Sequence, residues 1–209
     1  VLKKQSLEKI AEVCISENII VISDEIYEKI IYPPAEHFSI ASLNDEIFKQ
    51  TIVVNGFSKS YSMTGLRAGY MAGPEEIVKA IAKLQSHSTS NPVSIIMKGL
   101  EEAFFIEEEI EKMRQAFEER RNYIVEKLNK IEGIACRMPE GAFYVFPNIA
   151  SFGIGSFEFA EKLLLEKGVA LVPGKPFGSD NNIRISYATD LDTIKKGLER
   201  IEEFTKSLK

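Results

Sequence analysis

Residues that cross-link a chain or bind transition metals are scarce in these 209 residues: two cysteines, Cys14 and Cys136, and two histidines, His37 and His87. Two thiols this far apart supply no disulfide framework, so a reducing cytoplasm is the default compartment. Neither cysteine stands at ligand spacing from a histidine, which removes the usual zinc-site patterns. No apolar run reaches membrane-spanning length, which argues against a membrane role. There is no internal repeat and no low-complexity tract. Basic residues are outnumbered, 26 Lys and Arg against 31 Asp and Glu, for a net charge of −5; this argues against a general nucleic-acid surface. An initiator methionine is also missing, and no apolar core follows the charged start Val1-Leu2-Lys3-Lys4. The expectation is a processed, degraded or deliberately cut chain rather than a signal peptide.

What is present suffices for a core. Hydrophobic residues make up 44% of the chain, enough for one large or two small domains. Apolar spacing predicts an amphipathic helix over 6–16. Ile19 to Ile22 and Thr51 to Val54 are short apolar runs of the kind found in parallel strands buried on both faces. Ala68 to Ala72 reads as a third strand. Proline and acids at Gly73-Pro74-Glu75-Glu76 mark a helix start, and that helix should run to about Ser86. A polar break follows at 87–92, then helices over 93–105 and 107–131. The acidic residues between Glu101 and Glu111 read as a solvated helix face. Beyond Gly133 the pattern changes to short strands at 134–137, 142–146, 169–171 and 182–186, with helices over 157–167 and 191–207. That is an α+β layer. The domain boundary falls within or beside the charged helix near residue 107. The strands of residues 1–106 are too few to complete a parallel sheet, so this part should expose apolar surface unless another polypeptide covers it.

Chemistry concentrates in 55–70, Asn-Gly-Phe-Ser-Lys-Ser-Tyr-Ser-Met-Thr-Gly-Leu-Arg-Ala-Gly-Tyr. A strand runs into a loop of small residues that holds Lys59 between Ser58 and Ser60, and Arg67 follows among glycines. A lysine at a rigid strand-to-loop junction can be desolvated, which frees its amine as a nucleophile. Hydroxyls and an arginine beside it suit a phosphate. A carbonyl-reactive lysine with a phosphate cradle is the minimum equipment for pyridoxal phosphate. The plain alternative is a solvated lysine in a surface loop.

This stretch resembles the cofactor-lysine motif of fold-type I, class I aminotransferases, the aspartate aminotransferase family: Ser58-Lys59, a short polar run, then Gly65-Leu66-Arg67-Ala68-Gly69-Tyr70. Further stretches similar to that family follow its order: Ile22-Ser23-Asp24-Glu25-Ile26-Tyr27, Gly141-Ala142-Phe143-Tyr144-Val145-Phe146, Val172-Pro173-Gly174 and Ile183-Arg184-Ile185-Ser186-Tyr187-Ala188. The resemblance covers essentially all of the chain, while family members are roughly twice as long. It implies the C-terminal half of an α/β enzyme: 1–106 as part of the large, mostly parallel-sheet cofactor domain, and 107–209 as the small α+β domain. It also implies pyridoxal phosphate as cofactor, an amino acid and a 2-oxo acid as substrates, and a homodimer.

The roles below are those the resemblance implies. Lys59 holds the cofactor covalently and then moves the substrate proton. Asp24, at the end of a strand, pairs with the pyridine nitrogen; its plain alternative is the N-cap of a short helix over 25–30. Tyr27 hydrogen-bonds the cofactor's phenolic oxygen, or is a half-buried core tyrosine. Ser58 and Arg67 hold the phosphate, or are a turn hydroxyl and a surface arginine; Ser60 could assist at the loop. Arg184 binds the substrate α-carboxylate as a bidentate pair, or snorkels from an edge strand. Phe143 and Tyr144 read as core. The family's remaining cofactor contacts belong to the half that is absent, so the chain alone should be inactive. Some aspartate enzymes take a partner-subunit arginine from the break matching 84–92; no arginine stands there, and His87 is a further candidate for substrate contact. Aspartate, aromatic and other donors stay open. So do a pyridoxal-phosphate C–S lyase or related synthase, and a non-catalytic effector-binding domain of a regulator.

Overall fold

The computed structural model describes residues 1–208, which divide into two compact units, Val1–Lys112 and the described residues from Met113 onward. In the first, α1 (Lys4–Ser16) buries Leu7, Ala11 and Cys14 at helical spacing, against Ile40 and Ile47. The helix closes through Ile19, whose N–H donates to Cys14 O (2.8 Å). That closure delays β1 to Val21–Asp24, two residues later than the apolar run suggests. The chain then passes through α2 (Asp45–Phe48), capped by Asn44, whose side chain accepts from the Glu46 and Ile47 N–H groups. It enters β2 (Thr51–Gly56), and the loop that holds Lys59 leads on to β3 (Gly69–Ala72).

The strand order is β1-β2-β3. β1 and β2 are parallel, with Val21 beside Thr51 and Asp24 beside Val54. β2 and β3 are antiparallel, Gly56 facing Gly69. The third strand therefore departs from the parallel expectation. Residues 57–68 contain no crossover helix, and without one the chain can only turn back beside β2.

The apolar surface expected of this unit is present. Ile22 on β1 is 71% exposed and Ile20 57%. α3 (Glu75–Ser88) buries no residue, leaving Leu84 69% exposed. The helix expected over 93–105 is broken: α4 (Ser94–Leu100) stops, and a 3₁₀ turn (Glu102–Phe105) follows. Leu100 and Ala103 from these pieces pack with Phe57, Tyr61, Ala68 and Ile110. Ile110 opens α5 (Glu107–Leu128), which runs into the second unit.

The second unit is an antiparallel sheet of order β4-β6-β5, built from β4 (Tyr144–Val145), β5 (Val172–Pro173) and β6 (Ile183–Ser186). Two helices accompany it, α6 (Ser156–Lys167) and α7 (Leu191–Ser207). Phe159 and Phe204, both fully buried, meet edge to face at 5.1 Å where those helices pack. α7 starts at Asp190, whose carboxylate accepts from the Thr193 N–H (2.8 Å) and hydroxyl (2.6 Å). The Thr193 hydroxyl and N–H bonds pull that carboxyl down to about 2. The strand expected over 134–137 is reduced to one bridge, Ala135 with Asn148. Asn129 intercepts Cys136 on both sides, accepting from its N–H (2.8 Å) and donating to its C=O (2.9 Å). No described helix is long and apolar enough to cross a membrane.

Candidate active site

In the first unit the chemistry gathers where the parallel strands β1 and β2 end. Open α/β sheets leave a crevice at the carboxyl ends of their strands, because the chain departs from neighbouring strands in different directions there. Asp24 is the last residue of β1, exposed, and in register with Val54 of β2. The next residue keeps the ladder going, Glu25 N–H donating to Val54 O (2.9 Å). The segment after Asp24 is a pair of turns rather than the short helix of the capping alternative: Glu28 N–H bonds Glu25 O and Ile30 N–H bonds Tyr27 O. One Asp24 oxygen, Oδ1, accepts from Ile26 N–H (3.2 Å), which fixes the carboxylate on the turn. Tyr27 is half-buried on the same turn.

From the end of β2 the loop carries Ser58 and Lys59, both half-buried, then Ser60, which is fully buried. The Ser60 hydroxyl donates to Ile26 O (3.2 Å), across 34 positions of sequence. The bond fastens the Lys59 loop to the Asp24–Tyr27 turn. Ser60 therefore has a structural use at the loop. Glycines permit the close approach behind the loop. A Cβ on Gly69 would stand 2.9 Å from Asn55 O, and one on Gly56 3.1 Å from Gly69 Cα. Arg67 is exposed in a left-handed conformation (φ 54°), with one guanidinium nitrogen donating to Thr64 O (2.8 Å). Amine, carboxylate, phenol, hydroxyl and guanidinium are thus carried on two segments that the Ser60–Ile26 hydrogen bond helps to join. This donor set fits a phosphorylated pyridine aldehyde: a carboxylate for a ring N–H, an amine for the carbonyl carbon, and a hydroxyl and a guanidinium for the phosphate.

Around this group lies a feature that sequence reading missed. Glu25 is buried, and its carboxylate accepts from the Ser23 (3.0 Å) and Ser39 (2.6 Å) hydroxyls while its other oxygen meets His37 Nε2 at 3.0 Å. The partners lie up to 14 positions away, so no local motif announces them. The one available signal was a glutamate directly after a strand-terminal aspartate. Glu25→Ala should lower stability by about 1–3 kcal/mol, because half-buried donors lose their acceptor. Urea unfolding checks it, as a lower midpoint at unchanged slope. Beside this network, burial first and then the Glu28 charge raise the Tyr61 and Tyr70 phenols above their ordinary value, so both stay protonated at neutral pH.

The second unit presents Arg184 on β6, half-buried. Its guanidinium carbon lies 4.6 Å from the Tyr144 ring centre and 4.3 Å from that of Phe177. Phe143 packs on Phe117 (5.3 Å), as expected of a core residue, whereas Tyr144 is an arginine's neighbour. His87 sits exposed in the last turn of α3.

Comparison with known proteins places these groups in context. Residues 1–201 match the model of the family described as aminotransferase class I and II. The aspartate aminotransferase of Bacillus subtilis is 49% identical over 207 residues, which are 96% of this chain and 53% of that protein. Among solved structures, the aspartate aminotransferase from Rhizobium meliloti superposes with a TM-score of 0.94 at 34% identity, covering 99% of this chain and 55% of that one. An aromatic aminotransferase from Pyrococcus horikoshii OT3 gives 0.92 at 41% identity, covering 99% and 56%. The chain spans about half the length of the curated relatives it matches.

Proposed function

Because this chain belongs to the class I and II aminotransferase family, we propose that it carries part of a pyridoxal-phosphate site for transamination between an amino acid and a 2-oxo acid, of the aspartate aminotransferase type. The observation that supports this most directly is local. Asp24 and the Ser58–Lys59 loop leave the same ends of two parallel strands, and the Ser60–Ile26 hydrogen bond ties them together.

The cofactor, when bound, supplies a cationic ring that accepts the electrons released as the substrate Cα–H bond breaks. The Asp24 carboxylate holds the proton on the ring nitrogen. Tyr27 donates its hydroxyl to the phenolic oxygen. Ser58 and Arg67 hold the phosphate, where a planar guanidinium with several N–H donors has an advantage over an ammonium. The Lys59 amine would hold the cofactor at its carbonyl carbon and, as a free amine, would serve as the base that moves the proton at the substrate Cα. Arg184 grips the α-carboxylate through two parallel N–H···O bonds.

Residues 1–106 then belong to the large cofactor domain and 107–209 to the small one. We place the protein in the cytoplasm, in keeping with Cys14 and Cys136, both free and buried. Burial pushes the Cys136 thiol up to about 11, which keeps it unreactive at neutral pH. A homodimer is supported by the apolar side chains left in solvent on the first unit, among them Ile95 and Phe105, each 80% exposed.

The test uses the chain itself: addition of pyridoxal phosphate, borohydride reduction and peptide mass mapping. A phosphopyridoxyl adduct confined to Lys59 is the expected result. Adducts scattered over exposed lysines, with Lys59 no more reactive than the rest, would remove the cofactor reading for these residues.

A further inference from the structure

Arg184 is an unusual arginine for this small sheet. Its side chain is half-buried, yet among the described residues no hydrogen bond or ion pair holds the guanidinium. Its neighbours are two aromatic rings, at 4.3 and 4.6 Å. Both rings are set in place by the fold. Tyr144 lies on β4 opposite Ser186, so with side chains alternating along β6 it shares a sheet face with Arg184, and it leans on Phe143 at 4.8 Å. Phe177 comes from a 3₁₀ turn, Lys175–Phe177, that follows β5.

That turn is closed by hydrogen bonds from Phe177 N–H (2.8 Å) and Ser179 N–H (3.2 Å) to Gly174 O. It is tied onward through the Ser179 hydroxyl to Asn182 Oδ1 (2.7 Å) and from Asn182 Nδ2 to Phe146 O (2.9 Å). Phe146 meets Phe177 edge-on at 6.3 Å. Phe177 nevertheless remains 49% exposed, so burial alone does not account for its placement. Besides the Phe146 edge, what its ring gains is the guanidinium.

We propose that Tyr144 and Phe177 form an aromatic seat that orients Arg184 as a carboxylate receptor, which makes them positioning residues for the α-carboxylate of the amino or oxo acid. The inference rests on the carboxylate-binding role given to Arg184 above. Rings against the flat surface of a guanidinium attract it electrostatically and leave its N–H edge as the hydrogen-bonding direction, the edge that a carboxylate takes in bidentate fashion. Ordering the side chain beforehand also removes entropy that binding would otherwise have to lose. A lysine seated by the same rings would offer no such planar edge.

The experiment reads the Arg184 Nε–Hε resonance of the 15N-labelled chain, assigned by its disappearance in Arg184→Lys, with propionate as probe. In the unsubstituted chain the resonance should be displaced by ring currents and should move on propionate addition. Phe177→Leu and Tyr144→Leu keep apolar bulk; each should return the resonance toward that of a solvated arginine and weaken propionate binding about tenfold. Phe177→Tyr restores a ring and should preserve both properties, and unchanged backbone amide spectra report intact folding. An Arg184 resonance that neither leucine variant moves overturns the seat. So does an affinity unchanged in both variants. Failure of propionate to move a ring-shifted Arg184 in the unsubstituted chain is a different outcome: it overturns the carboxylate role itself, and the inference falls with it.

Discussion

Replacing Lys59 with alanine is expected to abolish transamination, lowering turnover by about four orders of magnitude or more, because covalent anchoring and proton transfer are lost together. The assay joins this chain to the part of a relative's chain that it does not span and follows exchange of an amino group between an amino acid and a 2-oxo acid. Binding of the cofactor should weaken but persist, since Asp24, Tyr27, Ser58 and Arg67 remain on their two segments. Persistence separates loss of chemistry from loss of the site: the alanine variant should still shift the cofactor's absorbance and should yield no reduced adduct at position 59. Turnover within tenfold of the unsubstituted protein would remove Lys59 from the mechanism. Added primary amines should restore part of the rate if the missing group is a base, because a small amine can occupy the space the side chain leaves.

Arg184→Lys should lower kcat/KM by about a hundredfold, with most of the change in KM. Lysine keeps the positive charge and N–H donors but not the planar fork, so the loss isolates the paired N–H···O geometry. The effect should be similar for aspartate and for an aromatic amino acid, because both present the same α-carboxylate. A large loss for one donor class and none for the other would mean that Arg184 reads the side chain instead. Measuring both donors side by side distinguishes these.

Much of this architecture was legible in the amino-acid order. The last helix was expected over 191–207, and the structure keeps those limits at Leu191–Ser207. β2 was visible as an apolar run that ends in small residues. Two of the misplacements share a cause: side chains or backbone groups from elsewhere take the hydrogen bonds that a local pattern assigns to a strand. Ile19 is claimed by the end of α1, and Cys136 by Asn129. Arg67, Lys59, Ser58 and Asp24 could be marked because one contiguous motif and one strand end carry them. The Glu25 network could not, since Ser39 and His37 reach it from a proline-bearing loop with no periodicity to read. Phe177 was hidden for another reason. A half-exposed aromatic in a turn has no sequence signature until the strand that places an arginine beneath it is known.

The turn that carries Phe177 also sets limits on how this region can drift under mutation, and its two glycines are constrained for unlike reasons. At Gly174 the obstacle is volume: a Cβ would lie 2.1 Å from Asn182 O and 2.5 Å from Ser179 O, so even alanine is shut out. At Gly178 there is open space, and only the positive φ of 88° disfavours a side chain, a restriction that asparagine tolerates better than most residues. The first position is closed by its neighbours and the second by its own backbone. Variation that retunes the aromatic over Arg184 therefore has room at Phe177 itself and at Gly178, while Gly174 holds the frame within which those changes are tried.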